Sequence, residues 1–152
     1  MKIKLSLCAD YHLNRMNPER LEGLNEIMER AVKNNVDAMV HCGDFITDLE
    51  NYKFALDSFL HNDAKIPAFG CYGNHELELT DSLETLNSAY GLENSYYYVD
   101  LKGFRLVFTD TNYFEKDGVI QRYPGYSVGG PDWTYDHNML GEAQLSWLSQ
   151  SI

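Results

Sequence analysis

Five side chains able to hold a cation arrive in this sequence at the ends of three apolar runs. The first run, Ile3 to Ala9, gives way to Asp10 and then His12. The second, Ala38 to Cys42, ends in Gly43-Asp44, and the third, beginning at Pro67, stops at Gly73-Asn74-His75-Glu76. Carboxylate, amide oxygen and imidazole together form a donor set for hard and borderline divalent cations. Any one of these residues at a strand end is more often a turn or cap residue than a ligand. The evidence lies in the repetition, because three apolar runs in succession end in groups of metal-ligand type.

Such groups need elements that bring the three ends together. Ile3 to Ala9 has no sustained polar face after Lys4, as in a strand covered on both sides. Asn17-Pro18 signals a helix start. Leu21, Leu24, Ile27, Met28, Ala31 and Val32 then recur at helical spacing, which predicts a helix over 18–34 stopped by Asn34-Asn35. Asp37 to Cys42 reads as the second strand. Asp48 is placed to cap a helix bearing Tyr52, Ala55, Leu56, Phe59 and Leu60, with His61 a charge at its C-terminal end. Pro67 to Tyr72 is the third strand. Strand–helix–strand–helix–strand implies parallel strands with right-handed crossovers, and ligands in such sheets gather beyond the carboxyl ends of the strands. Every candidate ligand falls there.

Further on, Asp81 to Tyr90 predicts a short helix with Asp81 and Glu84 in capping-box register and Gly91 as its stop. Ser95 to Leu101 and Phe104 to Thr109, joined by Lys102-Gly103, read as a hairpin. Residues 112–140, rich in Tyr, Gly and Trp, read as a long irregular segment forming an ordered lip. Glu142 to Gln150 begins a last helix. The fold class is therefore α/β, with a mostly parallel sheet and flanking helices, in one domain over 1–152.

Composition narrows the partners. The chain of 152 residues carries a net charge of −11, which repels nucleic-acid backbone and anionic membrane. Bound divalent cations would reverse that sign locally. No apolar stretch approaches the length of a membrane span, and the first apolar run is too short for a signal peptide, so a cytoplasmic location is expected. Cys8, Cys42 and Cys71 are odd in number and lack C-x-x-C spacing, which argues against a disulfide framework. They are read as small apolar filler beneath the site. His41, within the second strand, is expected to be buried and hydrogen-bonded.

Asp10-x-His12, Gly43-Asp44 and Gly73-Asn74-His75-Glu76, with Tyr96-Tyr97-Tyr98-Val99-Asp100 and Gln144-x-x-Trp147-Leu148 further on, resemble the calcineurin-like metallophosphoesterases along essentially the whole chain. The resemblance implies hydrolysis of a phosphate ester at a binuclear metal centre with a metal-bridging hydroxide nucleophile, within a four-layer α-β-β-α sandwich. It assigns Asp44 as the bridging ligand, Asp10 and His12 to one ion and Asn74 to the other, the ions being Mn, Fe or Zn. His75 would act as general acid or as a donor to a phosphoryl oxygen. Glu76 would orient His75 or hold the turn. A small phosphate ester is the expected substrate. Arg122-Tyr123 and His137, with Tyr113, Tyr126, Trp133 and Tyr135, are read as the small core of the long segment, contact with substrate being the alternative.

The family completes its site with a later His and a Gly-His-x-His motif, and this sequence contains neither. It is therefore expected to be an N-terminal portion of the domain, with an uncovered apolar face prone to self-association. The competing expectation is a non-catalytic scaffold on the same fold. Retention of His75 argues against it.

Overall fold

A helix between two strands returns the chain to the end of the sheet from which it started, so alternating elements pair in parallel. The computed structural model describes residues 1–80, 82–123 and 139–152. In it β1 (Leu5–Cys8), β2 (Ala38–Cys42) and β3 (Ala68–Cys71) form a parallel sheet in the order β1-β2-β3, connected by α1 (Arg20–Lys33) and α2 (Leu49–Leu60). Leu5 pairs with Ala38 and Cys42 with Cys71, so the three strands end level with one another.

One face of this sheet is sealed by helices. Leu24 and Ala31 of α1, Tyr52, Ala55, Leu56 and Phe59 of α2, and Leu86, Ala89 and Tyr90 of α3 (Leu83–Tyr90) join Met39 of β2 in a single core. In α1 and α2 these residues lie on the apolar stripes that helical periodicity predicts, although Val32 of the α1 stripe is exposed. On the other face Val40 is buried, but its neighbour Leu7 is 65% exposed. No helix is long and apolar enough to cross a membrane among the described residues.

β4 (Tyr97–Leu101) and β5 (Phe104–Phe108) form the expected hairpin, with Lys102 and Gly103 both at positive φ in its two-residue turn. It meets the first sheet through Tyr97, whose hydroxyl donates to the Gly70 carbonyl at 2.7 Å and accepts from the Gly70 N–H at 3.2 Å. A side chain thus occupies hydrogen-bonding positions that a further strand would otherwise take. Phe108 stacks on Tyr97 at 4.6 Å and also packs against Phe69 of β3.

Several sequence expectations are corrected. Part of the segment read as irregular is a second hairpin, β6 (Tyr113–Lys116) and β7 (Val119–Arg122), closed by Asp117-Gly118 with both residues at positive φ. Asn17 does not cap α1. Its side chain lies toward Asn14, and the helix starts after Glu19 with no side-chain cap. The cap of α3 is Ser82, whose hydroxyl accepts from the Thr85 N–H at 3.2 Å; Asp81 lies outside the described residues. Asp48 caps α2 as expected, accepting from the Asn51 N–H, and Gly91 ends α3 at φ 66°. The last helix, α4, spans Glu142–Ser151.

His41 is wholly buried, but neither ring nitrogen finds a hydrogen-bond partner among the described residues. The ring sits among Phe45, Phe59 and Tyr90, with centroids 4.8, 5.7 and 5.4 Å away. It lies directly over Gly70, where any Cβ would overlap it. Burial pushes its pKa down to about 3, so the imidazole is neutral and packs as an aromatic ring.

Candidate metal centre

The loop after β1 runs alongside the loop after β2 and is bonded to it residue by residue. The Asp10, His12 and Leu13 N–H groups donate to the carbonyls of Gly43, Asp44 and Phe45 at 3.2, 2.8 and 3.0 Å, and the Thr47 N–H donates back to Leu13. Asn14 adds a side-chain tie, its amide donating to the His12 carbonyl and to the Thr47 hydroxyl. Pairing of this kind holds Asp10, His12 and Asp44 at φ 53°, 50° and 52°. Left-handed backbone at non-glycine residues costs on the order of 1–3 kcal/mol each and persists only where the surroundings over-determine it. All three strained residues are candidate ligands.

The third strand end is drawn against the second by two glycines. A Cβ on Gly43 would lie 2.6 Å from the Gly73 nitrogen, and one on Gly73 would overlap the Asp44 carboxylate. Across this contact the His75 N–H donates to Asp44 Oδ1 at 3.0 Å. Behind it Glu76, wholly buried, accepts from the N–H groups of Asp44 (2.8 Å), Phe45 (2.7 Å) and Gly73 (2.7 Å) and from the Tyr90 hydroxyl (3.1 Å). Burial raises its pKa; the backbone N–H groups of Gly73, Asp44 and Phe45 offset part of that rise, and the nearby Asp44 carboxylate adds to it. Glu76 therefore clamps the turns together and does not touch the imidazole of His75.

On this frame His12, Asp44 and His75 each place a ligand atom within 4.8 Å of the others. His12 Nε2 stands 3.8 Å from Asp44 Oδ2 and 4.0 Å from Asp10 Oδ1, too far for hydrogen bonds. The His12 and His75 rings meet edge to face at 4.7 Å. Polar atoms gathered around a common point without bonding one another suit a divalent cation, whose bonds to His and carboxylate run about 2.0–2.2 Å. Asp44 reaches both sides of the site, with Oδ2 toward His12 and Oδ1 held by the turn that carries Asn74. The Asp10 side chain is 76% exposed at the rim. Asn74 uses its backbone carbonyl to start the turn Glu76–Glu78.

One residue in contact with the candidate site escaped sequence reading. Glu78 Oε2 lies 3.1 Å from His75 Nδ1. The three-residue spacing is the available signal, but it becomes informative only once the backbone there is known to be a 3-10 turn. Arg122 is engaged elsewhere, its guanidinium donating to the wholly buried Asp110, and Tyr123 is buried. Both accord with the loop-core reading, while Tyr126, Trp133, Tyr135 and His137 lie outside the described residues. Gln144 of α4 donates to the Asp110 carbonyl and accepts from its N–H, which ties α4 to the end of β5. The cysteines are free; Cys8 and Cys71 are half-buried as filler would be, whereas Cys42 is exposed. An open groove of about 640 Å³ is lined by Asn14, Arg15, Thr47, Asp48, Glu78 and Leu79, among others, and by none of His12, Asp44 and His75.

The family model for calcineurin-like phosphoesterases matches residues 3–150. No curated protein and no solved structure matches the chain.

Proposed function

The chain belongs to the calcineurin-like phosphoesterase family, and from that premise we propose that it hydrolyses a small phosphate ester with two divalent ions held at the ends of β1, β2 and β3. Metal-dependent phosphoester hydrolysis is the chemistry of the family, and the clustering of His12, Asp44 and His75 carries the reading for this chain. Asp10 and His12 would hold one ion, Asn74 the other, and Asp44 both. When bound, the ions supply a nucleophile at neutral pH and offset the charge of the phosphoryl oxygens.

The remaining work falls to the protein's own groups. Asn74 would offer a neutral oxygen, which offsets less of a bound cation's charge than a carboxylate does. His75, with Nδ1 engaged by Glu78, has Nε2 free to give a proton to the departing oxygen.

Elemental analysis after purification in Mn²⁺, paired with hydrolysis of an aryl phosphate, tests the proposal. Bound metal and turnover that both fall in Asp44→Asn are expected. Absence of both metal and turnover in the unaltered protein refutes it.

A further inference from the structure

The geometry points to Glu78 as the positioning residue of His75, accepting a hydrogen bond from Nδ1 so that the ring is fixed with Nε2 left for the chemistry. The inference rests on the reading of His75 as proton donor. His75 precedes the 3-10 turn Glu76–Glu78, and the Glu78 N–H donates to the His75 carbonyl at 3.2 Å. In that geometry side chains three residues apart eclipse, so Glu78 falls directly over His75. The resulting contact, Oε2 to Nδ1, is 3.1 Å.

Glu78 is not an ordinary surface acid. Its side chain is only 24% exposed, and Oε1 is buried with no hydrogen-bond partner among the described residues. Among the described residues His75 is thus the one side-chain hydrogen-bond partner of a carboxylate drawn partly out of water. A carboxylate only accepts, so in this pair the hydrogen sits on Nδ1. Glu76, the nearer acid in sequence, is occupied by backbone N–H groups. The donor form carries a second hydrogen on Nε2; in the proton-transfer step that Nε2–H bond breaks and an O–H bond forms on the leaving oxygen, whose bond to phosphorus breaks as the attacking oxygen bonds to phosphorus. The ring is left neutral with its remaining proton on Nδ1, and water later restores the proton on Nε2.

The test uses the whole chain and the variants Glu78→Leu, Glu78→Gln and His75→Gln; Glu78→Ala replaces the leucine variant if that fails to fold. The nitrogen-15 shifts of the His75 ring, assigned by their loss in His75→Gln, are read without metal. The Nδ1–H tautomer is expected in the unaltered protein and in Glu78→Gln, whose amide oxygen still accepts, and is expected to be lost in Glu78→Leu. With Mn²⁺, Glu78→Leu should lower kcat about 10–100-fold on an alkyl phosphate, the range typical of lost supporting partners. On nitrophenyl phosphate, whose leaving group needs no proton, the loss should be much smaller, and Glu78→Gln should restore the alkyl rate. The inference is overturned by an unchanged tautomer in Glu78→Leu, by equal losses on both esters, or by a loss confined to metal affinity. If His75→Gln hydrolyses the alkyl ester normally, the underlying reading of His75 has failed. If His75→Gln loses that activity while Glu78→Leu retains it, only the assignment to Glu78 has failed.

Discussion

Glu76 receives hydrogen bonds from both glycine-rich turns and from Tyr90, so one carboxylate joins β2, β3 and α3 behind the candidate site. In Glu76→Gln the amide nitrogen would face N–H donors. Breaking charged hydrogen bonds in a buried setting costs about 2–4 kcal/mol, and a lower denaturant midpoint with weaker metal binding is expected. His41 makes a separate prediction. Its pKa is depressed to about 3 in the folded state from the ordinary value of 6.5, so the unfolded chain takes up the proton first as pH falls. Stability attributable to the neutral ring is present above pH 6.5 and is lost between about pH 6.5 and pH 3, to a total on the order of 4–5 kcal/mol. His41→Phe should flatten the acid limb of stability against pH, measured by urea unfolding at a series of pH values.

The strand ends depend on glycines in two different ways. Gly73 has no room for a side chain, because a Cβ would overlap the Asp44 carboxylate. Gly73→Ala must displace that carboxylate or part the two turns, and a drop in metal affinity of at least about tenfold is expected by titration calorimetry. Gly118 meets nothing within 4 Å but adopts φ 78°. Gly118→Ala should therefore cost only about 1 kcal/mol of stability and leave metal affinity unchanged. Elements were legible from sequence where periodicity was long. The helices α1 and α2 bury their predicted faces except at Val32, and the hairpin of β4 and β5 appears around its Lys102-Gly103 turn. The hairpin of β6 and β7 was not legible, because each strand has only four residues and Asp117-Gly118 stood in a stretch dominated by aromatics. The start of α1 was also misplaced, since Asn17 spends its side chain on Asn14, a contact made by the local turn.

For the molecule as a whole, a site assembled from three separated segments couples metal binding to folding. An ion that binds only the folded state adds about 2.7 kcal/mol at a hundredfold excess over its Kd. For a domain of this size that corresponds to a rise in Tm of roughly 5–10 °C. Differential scanning fluorimetry with Mn²⁺ should show this rise, its reversal by chelator, and its absence in Asp44→Asn. The net charge of −11 adds a background that salt alone relieves. The comparison is therefore made at constant ionic strength.

The sequence by itself determined the parallel α/β order, the three strand ends that carry the candidate ligands, and the family, because apolar periodicity and local motif spacing depend on residues near one another in the chain. Only the tertiary structure decided what each acid does. Glu76 and Glu78 are two residues apart on one short turn and look alike in the sequence. A 3-10 turn points the first at the backbone of a strand end thirty residues away and the second at the imidazole of His75. Likewise, His41 reads as a polar residue wanting a partner until β3 places Gly70 beneath it and α2 and α3 surround it with rings. Partners of this kind are set by which faces meet when the layers pack, and local sequence carries no record of that.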